Sequence, residues 1–411
     1  MKLLLIHQNF PGQFLHLARD LKNSPAHELL AIGRETAPGL AGVRLLRYTP
    51  KRQPSPQVHP YLFGFEDAVL HGQQVLRVLL QLKGEGYAPD TILAHPGWGE
   101  TLFAKEAFPE ARLIHFCEYY YHGQGAEADF DPEFPLSIDS AARIRARNAL
   151  HLLNLEQCDQ GVTPTRWQHS LHPERYHSKI AIAHEGVDVD HLGPDPQATL
   201  ALPDGRLLRA GQPIVSYVAR NLEPLRGFHV FMRAAKKILA GHPECQLVVV
   251  GGDSVSYGSP PADAENWRVK MLAETGLDTR RVHFLGKVPY GSYRRLLQVS
   301  AAHFYLTYPF VLSWSMLEAM ASGCVLVASD TAPVREVLRD GENGHLVDFF
   351  DVDGIAAKVL EVLAAPQRQV ALRAAARETA ARYGVRHGVA AYRRLLGLAP
   401  EAAQQPETVA G

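Results

Sequence analysis

Two arginines, Arg220 and Arg226, lie in the loop Ala219-Arg220-Asn221-Leu222-Glu223-Pro224-Leu225-Arg226-Gly227, between an apolar run and an amphipathic one. Arginines spaced this way at the start of a helix set two fixed positive charges around one anion. A second stretch, Tyr308-Pro309-Phe310-Val311-Leu312-Ser313-Trp314-Ser315-Met316-Leu317-Glu318, suits the same ligand without side-chain charge. Ser313 or Ser315 is a natural N-cap, Leu317, Met320 and Ala321 form an apolar stripe, and Gly323 is a natural stop. A helix that begins at the carboxyl end of a strand turns unpaired N–H groups and its positive end toward a cleft, where a phosphate or diphosphate fits. Taken alone, the same stretch also reads as an ordinary strand–helix unit. Glu318 argues for more, because a carboxylate in the first turn of an apolar helix needs a partner.

The first half offers different chemistry. Gly12, in His7-Gln8-Asn9-Phe10-Pro11-Gly12, lets the backbone approach a ligand or simply makes a turn. Two short apolar runs end in His95-Pro96-Gly97-Trp98-Gly99-Glu100 and in Cys117-Glu118-Tyr119-Tyr120-Tyr121-His122-Gly123. Histidine, glutamate and tyrosine bond hydroxyls while an aromatic face covers a C–H face, a mixture that suits sugars. His95, Glu100, Glu118 and Tyr119 are the candidates there. The following loop, residues 123–135, carries Glu127, Asp129, Asp131 and Glu133 and reads as a mobile acidic cover. No strand or helix fixes these carboxylates, so no metal site is assigned.

These residues need a scaffold. At 411 residues the chain exceeds one ordinary core, which predicts two domains. A net charge of −1 exerts no general pull on nucleic acid or an anionic membrane. Cys117, Cys158, Cys245 and Cys324 are scattered in apolar surroundings and read as buried thiols of a reducing compartment. No apolar run reaches eighteen residues, so the expectation is a cytoplasmic protein, with peripheral contact at the inner membrane face left open.

Strands are expected at residues 2–6, 29–32, 90–94, 111–116, 159–163 and 179–183, alternating with helices at 13–21, 64–83 and 137–156. A proline-rich basic connection is expected at 38–57. After a proline- and glycine-rich boundary at 190–213 the alternation restarts, with strands at 214–218, 246–250, 282–285, 302–306 and 325–328. Helices are expected at 228–239, 264–275, 292–299, 355–383 and 382–396. The pattern is α/β, with two Rossmann-like doubly wound halves facing a cleft. The domains run 1–190 and 191–384, a helix at about 385–398 packs back on the first, and 399–411 is a disordered tail.

Arg220 with Arg226-Gly227, Gly251-Gly252-Asp253, Phe284-Leu285-Gly286, the 315–323 segment, Val327-Ala328-Ser329-Asp330, Glu336 and the 340–344 turn together resemble the retaining GT-B glycosyltransferases of family four. Gly12 and Glu185-Gly186-Val187-Asp188 extend the resemblance into the first half. It implies transfer of a sugar from a nucleotide diphosphate donor to a glycan, lipid-linked or small-molecule acceptor, with retention and without a metal or other cofactor. By that likeness Arg220 and Arg226 clamp the diphosphate, Glu318 bonds the ribose, and backbone around Ser313, Trp314, Ser315, Met316 and Leu317 holds the diphosphate and sugar. Gly286, Lys287 and Val288 border the base, and Gly12 meets the phosphates. Glu118 and His95 are the candidates for the family's strand-end histidine. Phe310 stands where the family has the first of two glutamates, and Ser313 replaces a glycine. Those departures leave two other readings open, a GT-B scaffold that binds without turnover and a nucleotide-sugar epimerase.

Overall fold

The computed structural model describes residues 1–399, so the expected tail lies outside the described residues apart from Ala399. It divides into two units. Among the described residues the first comprises Met1–Gly123, Phe134–Gly186 and those from Val385 onward, and the second comprises Gln124–Glu133 and Val187–Gly384.

In the first unit the strands are β1 (Lys2–Ile6), β2 (Glu28–Arg34), β3 (Arg44–Tyr48), β4 (Thr91–Ala94), β5 (Arg112–Phe116), β6 (Gln160–Thr163) and β7 (Ile180–Ile182). They form one parallel sheet in the order β3-β2-β1-β4-β5-β6-β7. Leu3 and Leu5 face one core with Phe14, Leu17 and Leu21, while Leu4 and Ile6 face another with Val75 and Leu79. Coverage on both faces is why these strands read as unbroken apolar runs. The last described helix, Val385–Leu395, adds Tyr392 and Leu395 to the Phe14 face, and Leu396 follows just beyond it. Its Arg393 Nη1 meets Asp20 Oδ2 at 2.7 Å.

The second unit opens with a hairpin, β8 (Thr199–Ala201) against β9 (Leu207–Arg209). Its parallel sheet contains β10 (Ile214–Asn221), β11 (Gln246–Gly252), β12 (Val282–Gly286), β13 (Ala302–Tyr305), β14 (Val325–Ser329) and β15 (His345–Val347). The order is β12-β11-β10-β13-β14-β15. Strand order therefore reverses between β1 and β4 in one sheet and between β10 and β13 in the other. At such a reversal the two flanking connections diverge to opposite faces, leaving a crevice at the carboxyl ends of the strands.

Three expectations are corrected. The connection at 38–57 contains β3, an edge strand whose Arg-Leu-Leu-Arg-Tyr has no alternation to mark it and is only partly buried. The boundary at 190–213 contains the β8–β9 hairpin. The helix expected at 355–383 is two, Val352–Ala364 and Val370–Ala381, because Pro366 starts a separate turn between them.

Candidate functional site

The charged candidates of the second unit lie at and after the carboxyl ends of β10 and β13. Arg220 lies exposed near the end of β10. Arg226 follows on a single turn, Pro224–Arg226, and is half-buried. Its backbone carbonyl accepts the Tyr217 hydroxyl at 2.7 Å, and its Nη1 donates to Thr307 Oγ1 at 2.8 Å and to the Val311 carbonyl at 3.3 Å. A flexible cation is thereby fixed against the loop that follows β13. Phe310 is buried below its guanidinium at 5.8 Å, and the Tyr257 ring meets Phe310 edge-on at 4.9 Å.

That loop ends in the helix Trp314–Ala321, capped by Ser313, whose Oγ accepts the Ser315 N–H at 3.3 Å. The Ser313 N–H donates to Tyr305 Oη at 2.8 Å and the Met316 N–H to the Ser313 carbonyl at 3.1 Å. Several of the expected backbone donors are thus engaged within the chain, and an anion would exchange with the Ser313 cap at Ser315. Met316 and Leu317 side chains are core residues, so any role toward a ligand is through their backbone. Trp314 is half-buried against the same core.

Glu318 has the partners its position demands. Tyr290 Oη donates to its Oε1 at 3.0 Å and Tyr293 Oη to its Oε2 at 2.8 Å, both from the helix Tyr290–Val299. Burial raises the Glu318 pKa, and the two hydroxyls oppose that rise. Gly286, Lys287 and Val288 connect β12 to this tyrosine helix, with Lys287 exposed and Val288 packed into the core. A Cβ on Gly252, at the end of β11, would fall 2.7 Å from Lys287 Cε and 2.6 Å from Asn221 Oδ1, so the lysine stem crosses bare backbone.

Glu223 was not singled out in the sequence. It is buried, and its carboxylate accepts the N–H groups of Ser256, Tyr257 and Gly258 at 3.0–3.1 Å, fixing the loop after β11. Tyr290 and Tyr293 were also missed, although their i, i+3 spacing just after Gly286–Pro289 was a usable signal.

In the first unit the loops after β1, β4 and β5 converge. His7 Nδ1 accepts the Asn9 N–H at 2.9 Å, which leaves its Nε2–H to donate to Gln13 Oε1 at 2.6 Å. Gln13 Nε2 then donates to Glu118 Oε1 at 3.1 Å, while His95 Nε2 lies 3.4 Å from Glu118 Oε2. Trp98 stacks on the His95 ring at 4.3 Å. Burial, then the neighbouring His95, pulls the His7 pKa down to about 3, so this imidazole is neutral at ordinary pH. Gly12 has φ +46°, and a Cβ there would sit 2.3 Å from His7 Nε2. Its bareness therefore serves the His7 ring. His7 and Gln13 complete the Glu118 group, and neither was selected from sequence.

Glu100 and Tyr119 lie buried beside different partners. Glu100 is buried, its Oε1 accepting the Tyr48 hydroxyl at 2.8 Å, and the same hydroxyl lies 2.8 Å from His71 Nδ1. Burial pushes the Glu100 carboxyl up to about 7. Tyr119 is buried with its ring against Tyr121 at 5.1 Å.

The acidic segment is not a free cover: Gln124–Glu133 belongs to the second unit, with Asp131 buried and Glu133 paired to Arg233. Among the described residues one group of possible metal ligands has its atoms within 4.8 Å of one another, Asp131, Glu133 and His229. His229 Nε2 donates to Asp131 Oδ2, and both Glu133 oxygens are taken by Arg233, which fits a hydrogen-bonded latch better than an ion site. No helix among the described residues is long and apolar enough to cross a membrane.

Comparison with known proteins adds two family models. "Glycosyl transferase family 4 group" matches residues 25–192, and "Glycosyl transferases group 1" matches residues 203–379. Curated relatives include the D-inositol 3-phosphate glycosyltransferase of Mycolicibacterium smegmatis, 31% identical over 215 residues, or 52% of this chain and 46% of that protein. The phosphatidyl-myo-inositol mannosyltransferase of the same organism is 30% identical over 203 residues, 48% of this chain and 46% of that protein. The chain thus spans about half the length of the curated relatives it matches. Among solved structures, sucrose-phosphate synthase from Thermosynechococcus elongatus has TM-score 0.71 at 19% identity, covering 97% of this chain and 99% of that one. Anabaena HepE, solved with UDP and glucose, has TM-score 0.68 at 16% identity over 97% and 99%. At these identities the likeness is one of fold, the GT-B pairing of two Rossmann-like domains.

Proposed function

The chain belongs to the glycosyltransferases of family four and group 1, and from that premise we propose that it moves a sugar from a nucleotide diphosphate sugar to a hydroxyl acceptor, with retention. The observation that carries the reading is the second sheet's crevice. Arg226, held by Thr307 and Val311, stands beside the capped start of Trp314–Ala321, with Glu318 one turn further on. A fixed guanidinium and a helix N-terminus favour a diphosphate, and most of all the extra charge that grows on it as the sugar leaves.

In this mechanism Arg226 and Arg220 stabilise the departing nucleotide diphosphate and Glu318 bonds its ribose. The acceptor is a hydroxyl compound, a glycan, a lipid-linked glycan or a small polyol, placed by Glu118 and His95. An oxygen of the donor phosphate takes the acceptor proton on the same face from which the nucleotide departs. Transfer thus rests on positioning and charge rather than on a protein nucleophile, and needs no metal. Relatives named for inositol acceptors, and the HepE structure with UDP and glucose, make UDP-glucose and inositol derivatives the first compounds to test.

The test is incubation with UDP-, GDP- and ADP-sugars and a panel of hydroxyl acceptors, in the presence of EDTA, with products resolved by mass spectrometry. A glycosylated product with the donor's anomeric configuration is expected. Inversion, or a dependence on added metal, would overturn those parts of the proposal. A second reading, binding without turnover, is favoured by Phe310, a buried ring that by the family resemblance stands where a carboxylate is expected. Donor binding with neither transfer nor slow hydrolysis would establish it.

A further inference from the structure

The segment Gln124–Glu133 lies in sequence between β5 and the helix Ile138–Gln157 of the first unit, yet it is built into the second. Its anchor is Asp131, 3% exposed. A carboxylate so far from water is tolerated only with its lone pairs occupied, and they are. Oδ1 accepts the Glu133 N–H at 2.9 Å, while Oδ2 accepts His229 Nε2–H at 2.9 Å and the Tyr308 hydroxyl at 2.5 Å. Phe130 adds ring contacts to Tyr308, Phe349 and Phe350 at 5.1–5.2 Å. Glu133 closes the segment on Arg233, which Glu274 holds from the other side at 2.6 Å.

Tyr308 is the residue that gives this anchoring a consequence. It begins the loop whose Val311 carbonyl holds Arg226 and whose Ser313 caps the helix Trp314–Ala321. The Tyr308 N–H is bonded to the Leu225 carbonyl at 3.0 Å, one residue before Arg226. Both walls of the proposed diphosphate site therefore converge on Tyr308, and the side chain of Tyr308 ends on Asp131.

We propose that Asp131 is a positioning residue: through Tyr308 it orders the loop of residues 308–313 in the arrangement that presents Arg226 and the helix start to the donor. Ordering of the loop stands on its own geometry, and its effect on donor binding rests on the function proposed above. Asparagine cannot substitute, because it offers one acceptor oxygen where three donors converge and places an NH2 against one of them. Tyr308→Phe removes a single hydroxyl and leaves the aromatic packing, so it tests the link even if Asp131→Asn folds poorly.

The experiment follows amide hydrogen exchange across residues 308–316 in the intact chain, together with UDP-glucose and GDP-sugar affinity. Both variants are expected to exchange at least about fivefold faster there, with β10 and β11 unchanged. Tyr308→Phe is also expected to weaken nucleotide-sugar binding about tenfold. Unchanged exchange in a folded Tyr308→Phe chain overturns the proposal, as does faster exchange with undiminished donor affinity. If the wild-type chain binds no nucleotide sugar, the functional reading fails. Exchange then still decides whether Asp131 orders the loop.

Discussion

The two crevices are built on the same plan and hold opposite chemistry. In each, a parallel sheet reverses its strand order, between β1 and β4 or between β10 and β13, and the loops at that point carry the polar residues. The first brings a neutral His7, a glutamine relay and the Glu118 carboxylate together with a Trp98–His95 stack. The second brings Arg226 and a helix N-terminus together, with its carboxylate, Glu318, covered by two tyrosine hydroxyls. In the proposed reading, topology supplies the two crevices and the loop residues supply their charge. The first crevice suits hydroxyls, the second an anion.

The largest effect that would test this division is expected from Arg226→Ala. Losing the fixed guanidinium should cut sugar transfer about 10²- to 10³-fold while the unliganded melting temperature falls by only a few degrees, as kinetics and thermal melts will show. Near-normal transfer would remove the second crevice from the chemistry. Glu100→Gln probes the interior of the first unit instead. The Glu100 carboxyl is raised from its ordinary value to about 7, so the folded state binds a proton that the unfolded state releases. Its contribution is therefore complete below about pH 4.5 and is lost as pH rises to 7, about 3 kcal/mol in all. Denaturant melts of Glu100→Gln should lack that decline and be the more stable at pH 8.

Glu118→Gln sharpens the comparison from the acceptor side. It should lower kcat/KM for the acceptor about tenfold and leave the thermal shift given by a nucleoside diphosphate intact. A loss of nucleotide binding would place Glu118 on the donor's side. Smallest is Glu318→Gln, expected to weaken nucleoside diphosphate binding about fivefold and to abolish its preference over the 2′-deoxy form in titration calorimetry.

Much of the scaffold was legible because buried parallel strands are apolar throughout, as in Leu3-Leu4-Leu5-Ile6. Edge elements were not: β3 carries two arginines and the β8–β9 hairpin sits among prolines and glycines. In the site, Arg226 and Glu318 stood out by type and spacing, and the residues that hold them did not. Gln13 and Glu118 are 105 positions apart, and Asp131 and Tyr308 are 177 apart. No periodicity connects such pairs. The buried tyrosine that Glu100 bonds was not legible either, because a glutamate after a strand looks the same in sequence whatever it faces.

The helix Val385–Leu395 bears on how the chain is made. Tyr392 and Leu395 close the core around Leu17 and Leu21, and Arg393 reaches Asp20 across 373 positions. During synthesis, the apolar face of Leu17 and Leu21 therefore waits for a helix whose Arg393 is made 373 positions after Asp20 before it is covered. Until then that face is open to association with other chains, and a nascent chain halted before Val385 would be a natural client for a chaperone.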